Sequence, residues 1–147
     1  MAHFSAVRAS WSHVFSRTEI ARLFGHTSRA LAFACTQLEV NTTVDALAKS
    51  AGTTEKGTTM EGLAAAAKAL GLKAEGIQAG REALSKMQCP AISLWNGNHY
   101  VAVLKLSGGP GDGGTAVIHD PNEAGEKAVS QEYLLTHSSG YLLTLQK

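Results

Sequence analysis

The feature that most constrains the fold of this chain is a change of hydrophobic period at Gly71. Before that residue, apolar side chains recur every three or four positions, which is the spacing of one buried helix face. The first such stripe consists of Leu31, Ala34, Cys35 and Leu38. Beyond Gly71, apolar residues form short runs of strand length: Leu72 to Ile77, Ala91 to Trp95, Tyr100 to Leu104, Ala116 to Ile118 and Tyr141 to Leu145. Helices first and strands second predict an α+β fold, with two or three N-terminal helices packed on a mainly antiparallel sheet.

Two more helices have recognisable starts before Gly71. Thr42 or Thr43 is a candidate N-cap for a short helix, because a threonine hydroxyl accepts from the free backbone N–H groups of a first turn. The stretch from Thr58 to Glu61 has the capping-box pattern T-x-x-E, in which each side chain serves the other residue's backbone donor. We therefore expect a third helix from Thr58 to Gly71.

Charge and composition exclude several function classes. The 147 residues suit a single domain. Lys+Arg total 13 against 12 Asp+Glu, so there is no basic surplus to hold nucleic acid. No apolar run approaches the roughly 20 residues that span a bilayer. The two cysteines, Cys35 and Cys89, form no CxxC pair, so neither a disulfide framework nor a structural zinc is predicted, and no cofactor is indicated.

The stretch from Ser107 to Gly114 is rich in glycine and predicts a flexible connection between two strands. It lacks both the GK[ST] ending and the following helix of a phosphate-binding loop. We interpret it as a linker and not as a nucleotide site.

The start of the chain has its own composition. The first 29 residues hold four arginines and several serines but one acidic residue, Glu19. We divide the chain into an N-terminal arm or amphipathic helix, residues 1–25, with Trp11 and Phe15 on its buried side, and a domain of residues 26–147. The start lacks the continuous apolar region of a secretory signal, so we predict a cytoplasmic protein. The alternative is an organellar transit peptide, which is also Arg-rich, Ser-rich and poor in acids.

A run around His99 indicates the chemistry of the chain. Trp95 and Tyr100 are joined by Asn-Gly-Asn-His, a compact hairpin connection, and an Asp120-Pro121 turn follows the next strand. A histidine oriented by a carboxylate is the base half of a site that activates a thiol. His99 and Asp120 are therefore the candidate base and its orienting residue, and His119 should face the other side of its strand.

The order of these motifs resembles one peptidase family. From residue 26 onward the chain is similar to the papain-like domain that cleaves double-glycine leader peptides in bacteriocin-exporting ABC transporters. That family carries an Asp-Pro followed by alanine, one more residue and glycine. The matching segments are Asp45 to Thr53, Lys56 to Ala74, Pro90 to Trp95, Gly97 to Val101, Asp120 with Pro121, and Ser130 to Leu143. The resemblance implies a papain-like cysteine-peptidase fold.

The chain departs from this family at the nucleophile. Counting back without a gap puts His26 where the family has cysteine, with Thr27 and Ser28 in place of Gly-Pro. The oxyanion-hole glutamine falls near Ile20 and is absent, while Gln37 lies beyond the site. Loss of one oxyanion donor alone costs ~10²–10³ in rate. The resemblance therefore implies a peptidase-like domain with negligible activity.

Neither cysteine is expected to replace the missing nucleophile. Cys35 lies on the apolar stripe of its helix, and Cys89 precedes a strand at a usually apolar position. Burial raises the pKa of a thiol and so keeps it protonated. Because the thiolate is the nucleophile, a buried thiol is unreactive.

Three interpretations of His99 and Asp120 stay open. They form a structural pair, they frame a peptide-binding cleft, or they join His26 in a His₂Asp metal site. The metal site is the least supported because the spacing of its ligands is scattered. The predicted cleft consists of His26, Trp95, Asn98, His99, Tyr100 and Asp120.

The function we predict is a non-catalytic domain that binds a peptide or protein partner. The resemblance supplies a precedent, because haemolysin-type exporters carry a domain of this family that lacks the cysteine and holds unfolded substrate. Trp95 and Tyr100 are the expected anchors. No transporter segment follows Lys147, so we expect a stand-alone adaptor or a subunit of a larger complex, with residues 1–25 as a docking element. The alternative is an active cysteine peptidase that cleaves double-glycine-type leaders.

Overall fold

Three helices precede the first strand of the described residues. The computed structural model describes residues 28–54, 57–95, 99–108 and 113–147. The helices of these ranges are α1 (Arg29–Gln37), α2 (Val44–Ser50), α3 (Met60–Ala69), α4 (Arg81–Lys86) and α5 (Gln131–His137). The strands are β1 (Lys73–Gln78), β2 (Ala91–Trp95), β3 (His99–Ser107), β4 (Thr115–His119), β5 (Glu126–Ser130) and β6 (Ser138–Gln146).

The strands form one six-stranded sheet in the order β1-β6-β2-β3-β4-β5. Its neighbouring strands pair antiparallel throughout. Because successive side chains of a strand point to opposite faces, each face buries its own cluster. Tyr100 and Leu143 pack with the helices α1 to α3, whereas Val101 and Leu142 pack with α4 and α5. The predicted α+β fold with helices on an antiparallel sheet is confirmed.

The buried stripe of α1 is the one that its periodicity predicts. Leu31, Ala34 and Cys35 have no exposed surface, and Leu38 packs at the edge of the same cluster. Thr43 caps α2, since its side chain accepts from the backbone N–H of Ala46 at 3.1 Å. The stripe packs α1 against the sheet, and the cap fixes where α2 begins.

The capping box at the start of α3 was predicted one residue too early. The N-cap is Thr59, whose hydroxyl accepts from the backbone N–H of Gly62 at 2.9 Å. Thr58 is buried instead, and its hydroxyl lies 2.6 Å from that of Thr53. Thr58 therefore contacts Thr53 in the folded domain and is not the cap of α3 that its sequence pattern suggests.

Helices α2 and α3 approach each other closely at Gly62. A Cβ atom added there would overlap the carbonyl oxygen of Ala51, the residue that ends α2. It would also lie 3.2 Å from the hydroxyl of Thr59. Glycine is thus the residue that allows the two helices to pack this closely.

Three elements were not predicted from the sequence: α4, β5 and α5. The arm of residues 1–25 that the sequence suggested lies outside the described residues. Within the described ranges, none of the helices has both the length and the hydropathy to cross a membrane.

Candidate active site

The site is built around an imidazole and a carboxylate from neighbouring strands. His99 begins β3, and Asp120 follows the last residue of β4. Antiparallel pairing of the two strands brings these ends together, and Nε2 of His99 lies 2.9 Å from Oδ2 of Asp120. The His99 side chain is 30% exposed, so solvent and ligands can reach its ring. The pair that the motif suggested is therefore formed in the fold.

Asn122 completes the surroundings of His99 and was missed from the sequence. Its backbone N–H donates to Oδ1 of Asp120 at 2.9 Å, which makes a tight turn after β4. Its side-chain nitrogen lies 3.4 Å from Nδ1 of His99. Both ring nitrogens of His99 thus have protein partners. The Asp-Pro-Asn sequence is a turn signal, but it does not tell where the asparagine side chain points.

Aromatic rings line one side of His99. Trp95 meets the imidazole edge-on at a centroid distance of 6.1 Å, and it lies 5.2 Å from the ring of His137 in α5. His137 stacks on Tyr133 at 4.0 Å. Trp95 is 8% exposed and Tyr133 is 39% exposed. The exposed aromatic ring on this side is therefore Tyr133, which the sequence did not single out.

A chain of hydroxyl groups holds Trp95 in place. Its indole N–H donates to the hydroxyl of Ser93 at 2.9 Å, and that hydroxyl lies 2.6 Å from the hydroxyl of Ser138. Ser138 donates to the carbonyl of Leu134 at 2.8 Å, so Ser93 is the donor to Ser138. A shift of register between β2 and β6 brings Ser138 opposite Trp95. The indole is thereby tied to the C-terminal end of α5.

Tyr100 supports the site from within the core. It is 3% exposed, and its hydroxyl donates to the carbonyl of Thr58 at 2.7 Å. Burial raises the pKa of Tyr100 to about 12 because desolvation disfavours the phenolate. Trp95 and Tyr100 are both buried in the free domain, and their role as anchors stays a prediction.

Replacing Tyr100 with phenylalanine tests whether its hydroxyl serves the core or a ligand. The change removes one buried hydrogen bond, so we expect the free energy of unfolding to fall by about 1–2 kcal/mol. Urea denaturation followed by circular dichroism measures the loss. Peptide binding should stay unchanged, because the hydroxyl faces the core. A variant of unchanged stability with weakened binding would support Tyr100 as an anchor.

The remaining site residues of the sequence analysis are placed as follows. His26 and Asn98 lie outside the described residues. His119 lies on the other face of β4, as expected, where its ring stacks on Phe33 at 3.9 Å. Among the described residues there is no group of three His, Cys, Asp or Glu side chains that could hold a metal ion. The His₂Asp site, which needs His26, stays a prediction.

The thiol of Cys35 lies in the core, and that of Cys89 is partly buried beside the second core cluster. Cys35 has no exposed surface, and desolvation raises its pKa. Burial raises the pKa of Cys89 to about 11. Cys89 precedes β2, whose far end pairs with His99, and the four steps from Ala91 to Trp95 at ~3.3 Å each separate the ends of the strand by roughly 13 Å. The groups that contact the two ring nitrogens of His99 are an aspartate and an asparagine, and neither is a thiol.

Comparison with known proteins identifies the family. The peptidase C39 family model matches residues 28–147. The chain belongs to the peptidase C39 family. An uncharacterized protein of Methanothermobacter thermautotrophicus is 31% identical over 118 residues, which cover 80% of this chain and 79% of that protein.

Solved structures share the fold of this C39 domain. The peptidase domain of Streptococcus ComA, a bi-functional ABC transporter, matches with a TM-score of 0.70 and 23% identity over 84% of this chain and 91% of that one. A double glycine motif protease from an AMS/PCAT transporter, in complex with the leader peptide, gives 0.69 and 24% over 82% of each. The peptidase C39 like domain of a Vibrio parahaemolyticus toxin secretion protein gives 0.65 and 19% over 84% and 96%. At these identities the likeness establishes the fold.

Proposed function

We propose that this chain is a non-catalytic peptidase C39 domain that binds a peptide or protein partner, as a stand-alone adaptor or as a subunit of a larger assembly. The observation that carries the proposal is the pairing of His99. Its nitrogens contact Asp120 and Asn122, while the thiol of Cys35 is buried and that of Cys89 is partly buried. A base with its orienting carboxylate but without a thiol can bind and cannot start acyl transfer. The sequence register, which puts His26 at the nucleophile position, supports the same conclusion.

The ligand class follows from the chemistry of the residues around His99. His99 and Asp120 offer polar groups, and the partly exposed ring of Tyr133 offers an apolar surface beside them. Such a combination suits an extended peptide, whose backbone needs hydrogen-bonding partners and whose side chains need apolar contact. The AMS/PCAT protease of the same fold is seen with a leader peptide, which favours a peptide over a small molecule. His26 and Asn98 belong to the proposed cleft on sequence grounds.

Binding of fluorescent double-glycine peptides, measured by anisotropy, tests the proposal. His99→Ala and Asp120→Ala should each weaken binding about fivefold or more, the usual effect of losing a hydrogen bond at an interface. Glu82→Gln is the matched control, because this exposed residue on α4 pairs with Lys86 outside the cleft. Mass spectrometry of the same mixtures should find intact peptide. Unchanged affinity in both alanine variants would exclude this cleft as the binding site.

The second candidate is an active cysteine peptidase that cleaves double-glycine-type leader peptides. It is favoured by the 2.9 Å contact between His99 and Asp120, because a base held by a carboxylate is what such an enzyme requires. This candidate needs a reactive thiol. Labelling of Cys35 or Cys89 by a peptidase-directed thiol reagent, abolished in His99→Ala, would support it. Cleavage of the leader peptide after its glycine pair would overturn the non-catalytic proposal.

Alkylation by iodoacetamide tests the state of the thiols directly. With a pKa near 11, Cys89 is about a thousandth thiolate at pH 8, so we expect its alkylation to be ~100-fold slower than in urea-unfolded protein. The rate should rise about tenfold per pH unit up to pH 10, since a raised pKa keeps the thiol protonated until that range. Peptide mapping separates Cys89 from Cys35. Fast alkylation of either thiol at pH 7 would contradict the buried placement.

A further inference from the structure

The turn after β4 places the side-chain amide of Asn122 next to Nδ1 of His99, the ring nitrogen that Asp120 does not contact. Asp120 accepts from Nε2, and Asn122 approaches Nδ1 with its side-chain nitrogen at 3.4 Å. The same asparagine is anchored by its backbone N–H, which donates to Asp120. Its side chain is exposed, so it can rotate away without disturbing the core. Asn122 therefore covers the one acceptor that the carboxylate leaves open.

The chemistry of this contact is that of a peptide group. When Nε2 carries the proton that it donates to Asp120, Nδ1 has a lone pair and can only accept. A carboxamide N–H is the same kind of donor as a backbone N–H. A side chain without an N–H, such as alanine, cannot make the contact.

We propose that the Asn122 carboxamide is an internal competitor of the ligand. It occupies the acceptor on His99 Nδ1 that a backbone N–H of a bound peptide takes, and it rotates out when the peptide binds. This inference rests on the proposed peptide-binding function. It also restricts the ligand: the peptide residue that lies over His99 must carry a backbone N–H, so proline and N-methylated residues are excluded there.

Ethoxyformylation by diethyl pyrocarbonate measures the cover on His99 without any peptide. The reagent reacts with an unprotonated imidazole nitrogen, which forms an N–C bond as ethanol and carbon dioxide are released. Asn122→Ala should speed reaction at His99 about two- to tenfold, the range of one hydrogen bond. His137 is an internal reference, because its Nδ1 is held by the carbonyl of Tyr133 at 2.9 Å. Glu123→Gln is the matched control on the same turn. Equal rates at His99 in wild type and Asn122→Ala would overturn the inference.

Peptide titration tests the competition itself. Asn122→Ala should bind the fluorescent double-glycine peptide two- to tenfold more tightly than wild type, whereas Glu123→Gln should bind equally. A scan of singly N-methylated peptides should find one position at which binding to both proteins is lost. If His99→Ala weakens binding but Asn122→Ala does not strengthen it, the competitor is wrong and the proposed function stands. If His99→Ala binds the peptide as wild type does, the proposed binding site itself is wrong. Faster ethoxyformylation of Asn122→Ala would then show that Asn122 shields His99 from the reagent without competing with a ligand.

Discussion

Gly62→Ala should lower the free energy of unfolding by about 3 kcal/mol, because the new methyl group has no space between two helices. It would overlap the carbonyl oxygen of Ala51, which is backbone and cannot rotate aside as a side chain could. The overlap can be removed only if α2 and α3 move apart. That movement would also disturb the bond from the Gly62 N–H to the hydroxyl of Thr59, which caps α3.

Urea unfolding followed by far-UV circular dichroism measures this loss. Gly76→Ala is the matched control, because a Cβ atom at Gly76 on β1 would meet nothing within 4 Å. We expect the control to change the free energy of unfolding by about 0.5 kcal/mol or less. Similar stabilities of the two variants would show that α2 and α3 are not in close contact at Gly62.

Gln131→Glu should cost about 3–4 kcal/mol at neutral pH, because it buries a carboxylate against carbonyl oxygens. The Gln131 side chain is 1% exposed, and its amide nitrogen lies 3.1 Å from the carbonyl oxygens of Ser107 and Gly108 and 3.2 Å from that of Thr115. This amide ties the first residue of α5 to both ends of the glycine-rich connection between β3 and β4. Glutamate has almost the same shape but no N–H to donate.

Thermal and urea denaturation compare this variant with Gln131→Met. Methionine also removes the donor but adds no charge, so we expect a smaller loss of about 1–2 kcal/mol. The difference between the variants isolates the electrostatic repulsion. A glutamate variant at least as stable as the methionine variant would contradict the placement of this side chain against three carbonyl groups.

The elements that could be predicted from the sequence are those with a strong period of their own. The stripe of α1 and the continuous apolar run of β2 are buried as expected. Strand β5 has mostly exposed residues at the edge of the sheet and therefore shows no apolar alternation. Helix α5 has seven residues, too few for a clear helical period, although Ser130 caps it by accepting from the N–H of Tyr133.

The site could be predicted from the sequence only where the pairing of two strands fixes the positions of its residues. His99 and Asp120 meet because they end two paired strands, so their motif carries enough information. The burial of Trp95 depends on α5, which the sequence did not reveal, and on a register shift between β2 and β6. The contact of Asn122 depends on the rotation of one side chain in a turn. Such long-range and rotameric details leave no pattern in neighbouring residues.

The central place of β6 has a consequence for the synthesis of the protein. Residues 138–146 follow every other strand in the chain, yet they lie between β1 and β2 in the sheet. While a ribosome is still translating this segment, β1 has no neighbour among the described strands and β2 has an open edge. The sheet can therefore close only after the last strand has emerged, since long-range pairing must wait for both partners. Until then the nascent chain exposes unpaired strand edges, the kind of surface that chaperones protect.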